Sequence, residues 1–178
     1  MNFIKEKKLN KWIVIAALYV GFAFAYYVPM RGMIALLSVN YGLPAAINND
    51  VVAFLVAGIV PILVYELLSA FVFKLVRTRG VAPAEDMRYE LRFFYFPATV
   101  VMGCIKLIFL FHPLGLTFAS VLVDSLVPLP FFALFMWYSF KNHVDKTRYA
   151  SMIYLLGSAF AVVYGVLALF ELLMGAFA

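Results

Sequence analysis

Residues 51–73 read VVAFLVAGIVPILVYELLSAFVF, an apolar run in which Glu66 is the one formally charged side chain. The hydrocarbon core of a bilayer is about 30 Å thick and takes about 20 apolar residues of helix to cross, so the run reads as a transmembrane helix. Gly58 and Pro61 punctuate it without adding polarity, and Lys74, Arg77 and Arg79 close it.

Four further apolar runs lie around this one, at about 12–30, 93–111, 116–140 and 149–174. The fold expected is therefore an all-α integral membrane protein, a bundle of about five transmembrane helices forming a single polytopic domain over 1–178. Composition points the same way. Hydrophobic residues make up 66% of the 178, charged residues 13%, and mean hydropathy is +1.00, against about 45–50% apolar and about 25% charged in soluble domains.

The connections carry the polar residues. Residues 32–50 are apolar but broken by Asn40, Gly42, Pro44, Asn48 and Asn49, which predicts a helical continuation or an interfacial piece on the outer surface, then a loop. Asn48, Asn49 and Asp50 suit the N-cap of the next helix. Residues 78–92, with Gly80 and Pro83, read as a cytoplasmic loop whose later part is helical, and His112-Pro113-Leu114-Gly115 as a tight turn. Pro128 and Pro130 remove two backbone donors from the fourth run, so that helix is expected to be kinked or broken there.

Orientation follows from Lys and Arg. Lys5, Lys7, Lys8, Lys11, Lys74, Arg77, Arg79, Arg88, Arg92, Lys141, Lys146 and Arg148 fall on one side, and Arg31 alone on the other. The positive-inside rule then predicts a cytoplasmic amino terminus and an outside carboxyl terminus. The basic start, the apolar stretch and Ala23-Phe24-Ala25 have the outline of a secretory signal. Because the apolar run continues through Tyr26 and Tyr27, it is read as an uncleaved first helix. Size and span number fit several groups of small bacterial membrane proteins, the substrate-capturing subunits of vitamin importers among them, and no motif selects one. The location expected is the bacterial plasma membrane, as a multi-pass protein.

The net charge of +5 and pI near 9.3 do not point to nucleic acid, because the basic residues sit in short clusters beside apolar runs, where they set topology and meet headgroups. Cys104 is the single cysteine, which excludes an intramolecular disulfide. No cofactor or metal is expected: His112 and His143 lie on opposite sides, His112 in a turn and His143 beside Asp145 in a loop where it is expected to be solvated. G-x-S-x-G, H-E-x-x-H, P-loop and Rossmann fingerprints are lacking.

An ionisable group inside a span costs on the order of 2.5–3.5 kcal/mol and is a candidate functional residue. Glu66, Lys106, Asp124 and Glu171 are such groups. Glu171 and Arg31 lie near the outer face, where headgroups account for them. Lys106 and Asp124 flank the turn at 112–115 at similar distances, which places them at similar depth on adjacent antiparallel helices in the outer half. They form an expected ion pair that either fixes helix register or, with the break at Pro128 and Pro130, lines a cavity open to the outside. Glu66 has no cation at its own depth; Arg88 or Arg92 reaching up, or protonation, would settle its charge.

These residues make a transport role the leading expectation, either a small carrier or the membrane subunit of a transport complex. Lys106, Asp124, Pro128, Pro130 and Glu66 are its ligand-binding or pore-lining candidates, for a small-molecule or ion substrate. The alternative is a non-enzymatic scaffold, assembly or regulatory subunit that binds other membrane subunits, or itself, through the small-residue face Ala17, Gly21 and Ala25. A lipid-modifying enzyme ranks last, since no nucleophile and base stand out.

Overall fold

The structure is a computed structural model, and it describes residues 11–42, 44, 46–79, 84–109 and 116–176. All regular structure among the described residues is helical. The helices are α1 (Lys11–Tyr41), α2 (Asp50–Thr78), α3 (Ala84–Phe109), α4 (Leu116–Leu126), α5 (Pro128–His143) and α6 (Tyr149–Ala176), with one 3-10 turn at Lys146–Arg148. Among the described residues four stretches are long and apolar enough to cross a membrane: Lys11–Tyr41, Asp50–Thr78, Glu85–Ile108 and Leu122–His143, the last running through the α4–α5 joint.

Most boundaries follow from local chemistry. The side chain of Asn49 accepts from the backbone N–H of Val52 at 2.9 Å, capping α2, and Asp50 stands in its first turn where the helix dipole favours an anion. Glu85 and Asp86 play the same part in α3. Helix α1 overruns the expected boundary near residue 30. Pro29 is tolerated inside it, and it ends only where Gly42 takes a positive φ of 63° and donates to Ser38 O at 3.0 Å. Residues 31–41 are thus the helical continuation and not a separate surface piece.

Prolines separate the fourth run from the others. Pro29, Pro61 and Pro97 each sit inside an unbroken helix. At Pro128 the chain closes one helix and starts another, with Val127 still donating to Val123 O at 3.0 Å. Pro128 has no N–H to offer the carbonyl of Asp124, four residues back, and Pro130 has none for Leu126, so two alternate rungs of the ladder are missing while Val127 keeps a helical φ and ψ of −62° and −39°. The segments around Pro61 and Pro128 therefore differ in backbone.

Two cores fill the bundle. The first joins Leu18, Phe22, Tyr26, Ala57, Tyr65, Tyr95, Met102 and Val123, from α1, α2, α3 and α4. The second joins Val72, Val76, Met87, Phe135, Phe140, Met152 and Leu156, from α2, α3, α5 and α6. Close approach in the first core depends on glycine. A Cβ at Gly21 would overlap the Thr99 hydroxyl, one at Gly58 the Tyr19 ring, and one at Gly103 the Phe24 ring. Gly21 and Ala25 are buried within the chain, so that part of the small-residue face is occupied by the protein's own α3. Outward, Val51, Leu55, Ile59, Leu63, Leu67, Phe71 and Leu75 are exposed at strict four-residue spacing along α2. That row is an inclined ridge that winds around the helix by about 40° per step, so apolar side chains face outward around much of α2, which suits hydrocarbon.

The turn at 112–115 with His112, the lysines before Lys11, and Gly80 and Pro83 lie outside the described residues, as does the side chain of Glu171.

Candidate functional site

Lys106 and Asp124 meet as expected. Helix α3 carries the lysine and α4 the aspartate; Lys106 Nζ lies 2.7 Å from Asp124 Oδ1, with side-chain exposures of 3% and 0%. The ammonium also sits 4.4 Å from the centroid of the Tyr26 ring on α1, a cation–π contact worth about 2 kcal/mol or more when desolvated. Beyond Tyr26 the wall is aromatic. Phe22 lies 6.3 Å from Tyr26, 5.7 Å from Tyr65 and 5.6 Å from Tyr95, and Tyr65 stacks on Tyr95 at 5.1 Å. Taking two charges out of water costs several kcal/mol each, and only close geometry with added polar contacts offsets it.

The helix break completes this site in part. Pro128 is buried, and its ring stands one turn from Asp124 on the same chain. Pro130 is exposed, so it shapes the backbone without lining the interior.

Glu66 belongs to a second, separate cluster. Both arginines of α3 reach it: Arg92 Nε and Nη2 bond Glu66 Oε1 and Oε2 at 2.7 and 2.6 Å, a two-pronged clamp, and Arg88 Nη2 bonds Oε2 at 2.6 Å and the Glu66 carbonyl at 2.9 Å. Arg88 Nε further donates to Ser69 Oγ at 3.1 Å. The lack of a cation at Glu66's depth is thus corrected. The expected helical later part of 78–92 is the beginning of α3, which starts at Ala84 and so carries Arg88 and Arg92 on its first turns beside α2.

A third group was not foreseen. Glu90 is 3% exposed; Ser139 Oγ donates to its Oε2, and His143 Nε2 lies 2.8 Å from its Oε1. The imidazole is 2% exposed, which corrects the expectation of a solvated His143. The cause is the length of α5, which runs to residue 143 and puts Ser139 and His143, four apart, on one face toward α3. Here the carboxylate stands between serine and imidazole. The histidine therefore does not contact the hydroxyl it would have to deprotonate in nucleophilic catalysis, and the arrangement ties the end of α5 to α3.

At the opposite end Arg31 bridges α1 to the start of α2, with Nε 2.7 Å from Asp50 Oδ1 and Nη1 donating to Asn48 Oδ1. Asp50 is 72% exposed, so this contact is a surface one. No group of His, Cys, Asp and Glu fit to hold a metal is present among the described residues.

Fold and sites together define an all-helical chain with apolar helices of membrane-crossing length and charges gathered inside the bundle, the pattern of a membrane protein. Comparison of the chain with protein-family models, with curated proteins and with solved structures gives no match.

Proposed function

We propose that the chain crosses the plasma membrane five times, amino terminus in the cytoplasm and carboxyl terminus outside, and that it takes part in transport by recognising a solute or ion at the Lys106–Asp124 pair. The topology is supported by the gathering of basic residues at one end of the bundle. Arg148, in the 3-10 turn before α6, donates to the carbonyl of Arg79, the residue that follows α2, at 3.0 Å, and Lys11, Lys74, Lys141 and Lys146 lie at the neighbouring helix ends and turn. Helix α6, with 28 residues, supplies the fifth crossing.

The single observation that carries the transport reading is a buried ion pair three residues from the proline joint, where the carbonyls of Asp124 and Leu126 lack their helical donors. Discontinuous helices expose backbone groups where solutes bind in membrane carriers, and irregular backbone at depth is tolerated where protein or a polar cavity covers it. Lys106 and Asp124 hold a charge of each sign there, so an ionic solute enters by exchanging with one partner.

The test uses the double variant Lys106→Gln with Asp124→Asn, which keeps a hydrogen-bonded pair and removes both charges. A panel of amino acids, nucleosides, vitamins and inorganic ions is screened for thermal stabilisation of the purified protein in detergent. The reading requires at least one stabilising solute whose effect disappears in the double variant while the fold persists. A panel without effect, or equal stabilisation of both proteins, rejects it. For topology, Val39→Cys and Arg79→Cys in a Cys104→Ser background are treated with a membrane-impermeant maleimide on intact cells. Labelling of the first alone is expected, and labelling of the second overturns the orientation.

The scaffold reading keeps one specific observation in its favour. Val39 and Tyr41, at the end of α1, are 84% and 77% exposed, an apolar tip of the kind a partner helix covers.

A further inference from the structure

Helices α2, α3, α5 and α6 enclose a crevice whose wall includes Tyr65, Ser69, Val72, Leu91, Phe132 and Phe160. The space it encloses is small, about 40 Å³, room for a few water-sized groups, and it opens to the outside of the bundle, so it takes the edge of a larger ligand. The wall is apolar except at one edge, and that edge is unfinished in two respects.

Tyr65 is 4% exposed, and its hydroxyl has no hydrogen-bond partner among the described residues. A buried donor left unsatisfied costs about 1–3 kcal/mol. Ser69, one turn along α2, brings in Arg88, whose Nε bonds the serine and whose Nη2 makes both contacts to Glu66. The Nη1 of Arg88 has no partner among the described residues. Two arginines face one glutamate, which leaves one positive charge in excess. With side-chain exposures of 26% for Arg88 and 5% for Arg92, Arg88 is the cation that an incoming group meets.

We propose that this crevice binds an anionic phospholipid from the leaflet at the basic end of the bundle. The phosphate accepts from Arg88 Nη1, an ester carbonyl accepts from the Tyr65 hydroxyl, and an acyl chain lies against Phe132 and Phe160. Tyr65 stands a turn further from the basic end than Ser69, the order in which a phospholipid presents its phosphate and its esters. Basic pockets between helices take anionic headgroups by the same combination of charge and donors. The inference rests on the membrane reading of the fold and is independent of solute recognition at Lys106–Asp124.

Native mass spectrometry of the full chain in detergent tests it, with dioleoylphosphatidylglycerol, dioleoylphosphatidylcholine, dioleoylglycerol and glycerol 3-phosphate as probes. The anionic lipid is expected to bind most tightly, with Arg88→Gln weakening it about tenfold and Tyr65→Phe about threefold, the loss of one charged and one neutral hydrogen bond. Dioleoylglycerol binding stays the same in Arg88→Gln. Tyr65→Phe removes an oxygen that no described residue bonds, so it keeps the structure and decides the matter even where Arg88→Gln fails to accumulate. Unchanged anionic-lipid binding in Tyr65→Phe overturns the proposal. So does equal binding of dioleoylglycerol, which means an apolar slot only, or of glycerol 3-phosphate, which means a free-phosphate site. Solubility of the chain in buffer without detergent would remove the membrane reading itself, and is seen before any lipid is added.

Discussion

The Lys106–Asp124 pair and the Glu66–Arg88–Arg92 cluster put charge inside the same bundle under different rules. The first is one cation against one anion, sealed at 3% and 0% exposure beneath aromatic rings. The second is two cations against one anion, with Arg88 and Glu66 each about a quarter exposed. Balance goes with burial. A sealed site tolerates no surplus because an unpartnered charge there has no water to turn to, whereas an open-sided one carries an extra cation that lipid or solvent answers.

Breaking the sealed pair has the largest expected effect. Asp124→Leu alone strands Lys106 and is expected to cost about 3–5 kcal/mol, while Lys106→Met combined with Asp124→Leu returns close to the parent. Unfolding midpoints in detergent for the single and double variants decide this, and a double variant as weak as the single one breaks the comparison. Glu66→Gln comes next, at about 2–3 kcal/mol, because Arg92 loses one prong of its clamp and the charge that answers it while Arg88 turns outward. Equal losses at Asp124 and Glu66 would mean that exposure does not govern the difference. Gly103→Ala drives a methyl group into the Phe24 ring and should cost about 1–3 kcal/mol, read by the same melts. Asp50→Asn at the exposed Arg31 contact is expected to cost less than about 1 kcal/mol, a control that sets the scale.

Some of this was legible in the sequence and some was not. The Lys106–Asp124 pair was, because a short turn between antiparallel helices converts equal sequence distance into equal depth. The break near Pro128 was, because the absence of two N–H groups is covalent and no tertiary context restores them. The Arg88 and Arg92 clamp was legible only as a choice between two arginines, since it depends on where α3 begins, and helix starts are weakly marked in a segment with mixed charges. Glu90, Ser139 and His143 escaped altogether. The spacing of Ser139 and His143 placed them on one face of a helix, but nothing in the chain says that the face meets residue 90. Likewise Pro29, read as an ending, lies inside α1, because one missing rung does not stop a helix whose flanking residues continue it.

Helix α1 has 31 residues, about 46 Å at 1.5 Å per residue, whereas the hydrocarbon layer is about 30 Å thick. Laying its full length inside that layer needs a lean near 50°, beyond the ~0–40° that membrane helices show. In the proposed orientation the surplus is carried by the Tyr41 end, which then stands clear of the acyl region, and bilayer thickness becomes a handle on its slant. Thicker sterol-like or long-chain lipids would draw α1 upright and submerge more of the Val39 tip, while thin ones would leave it standing proud.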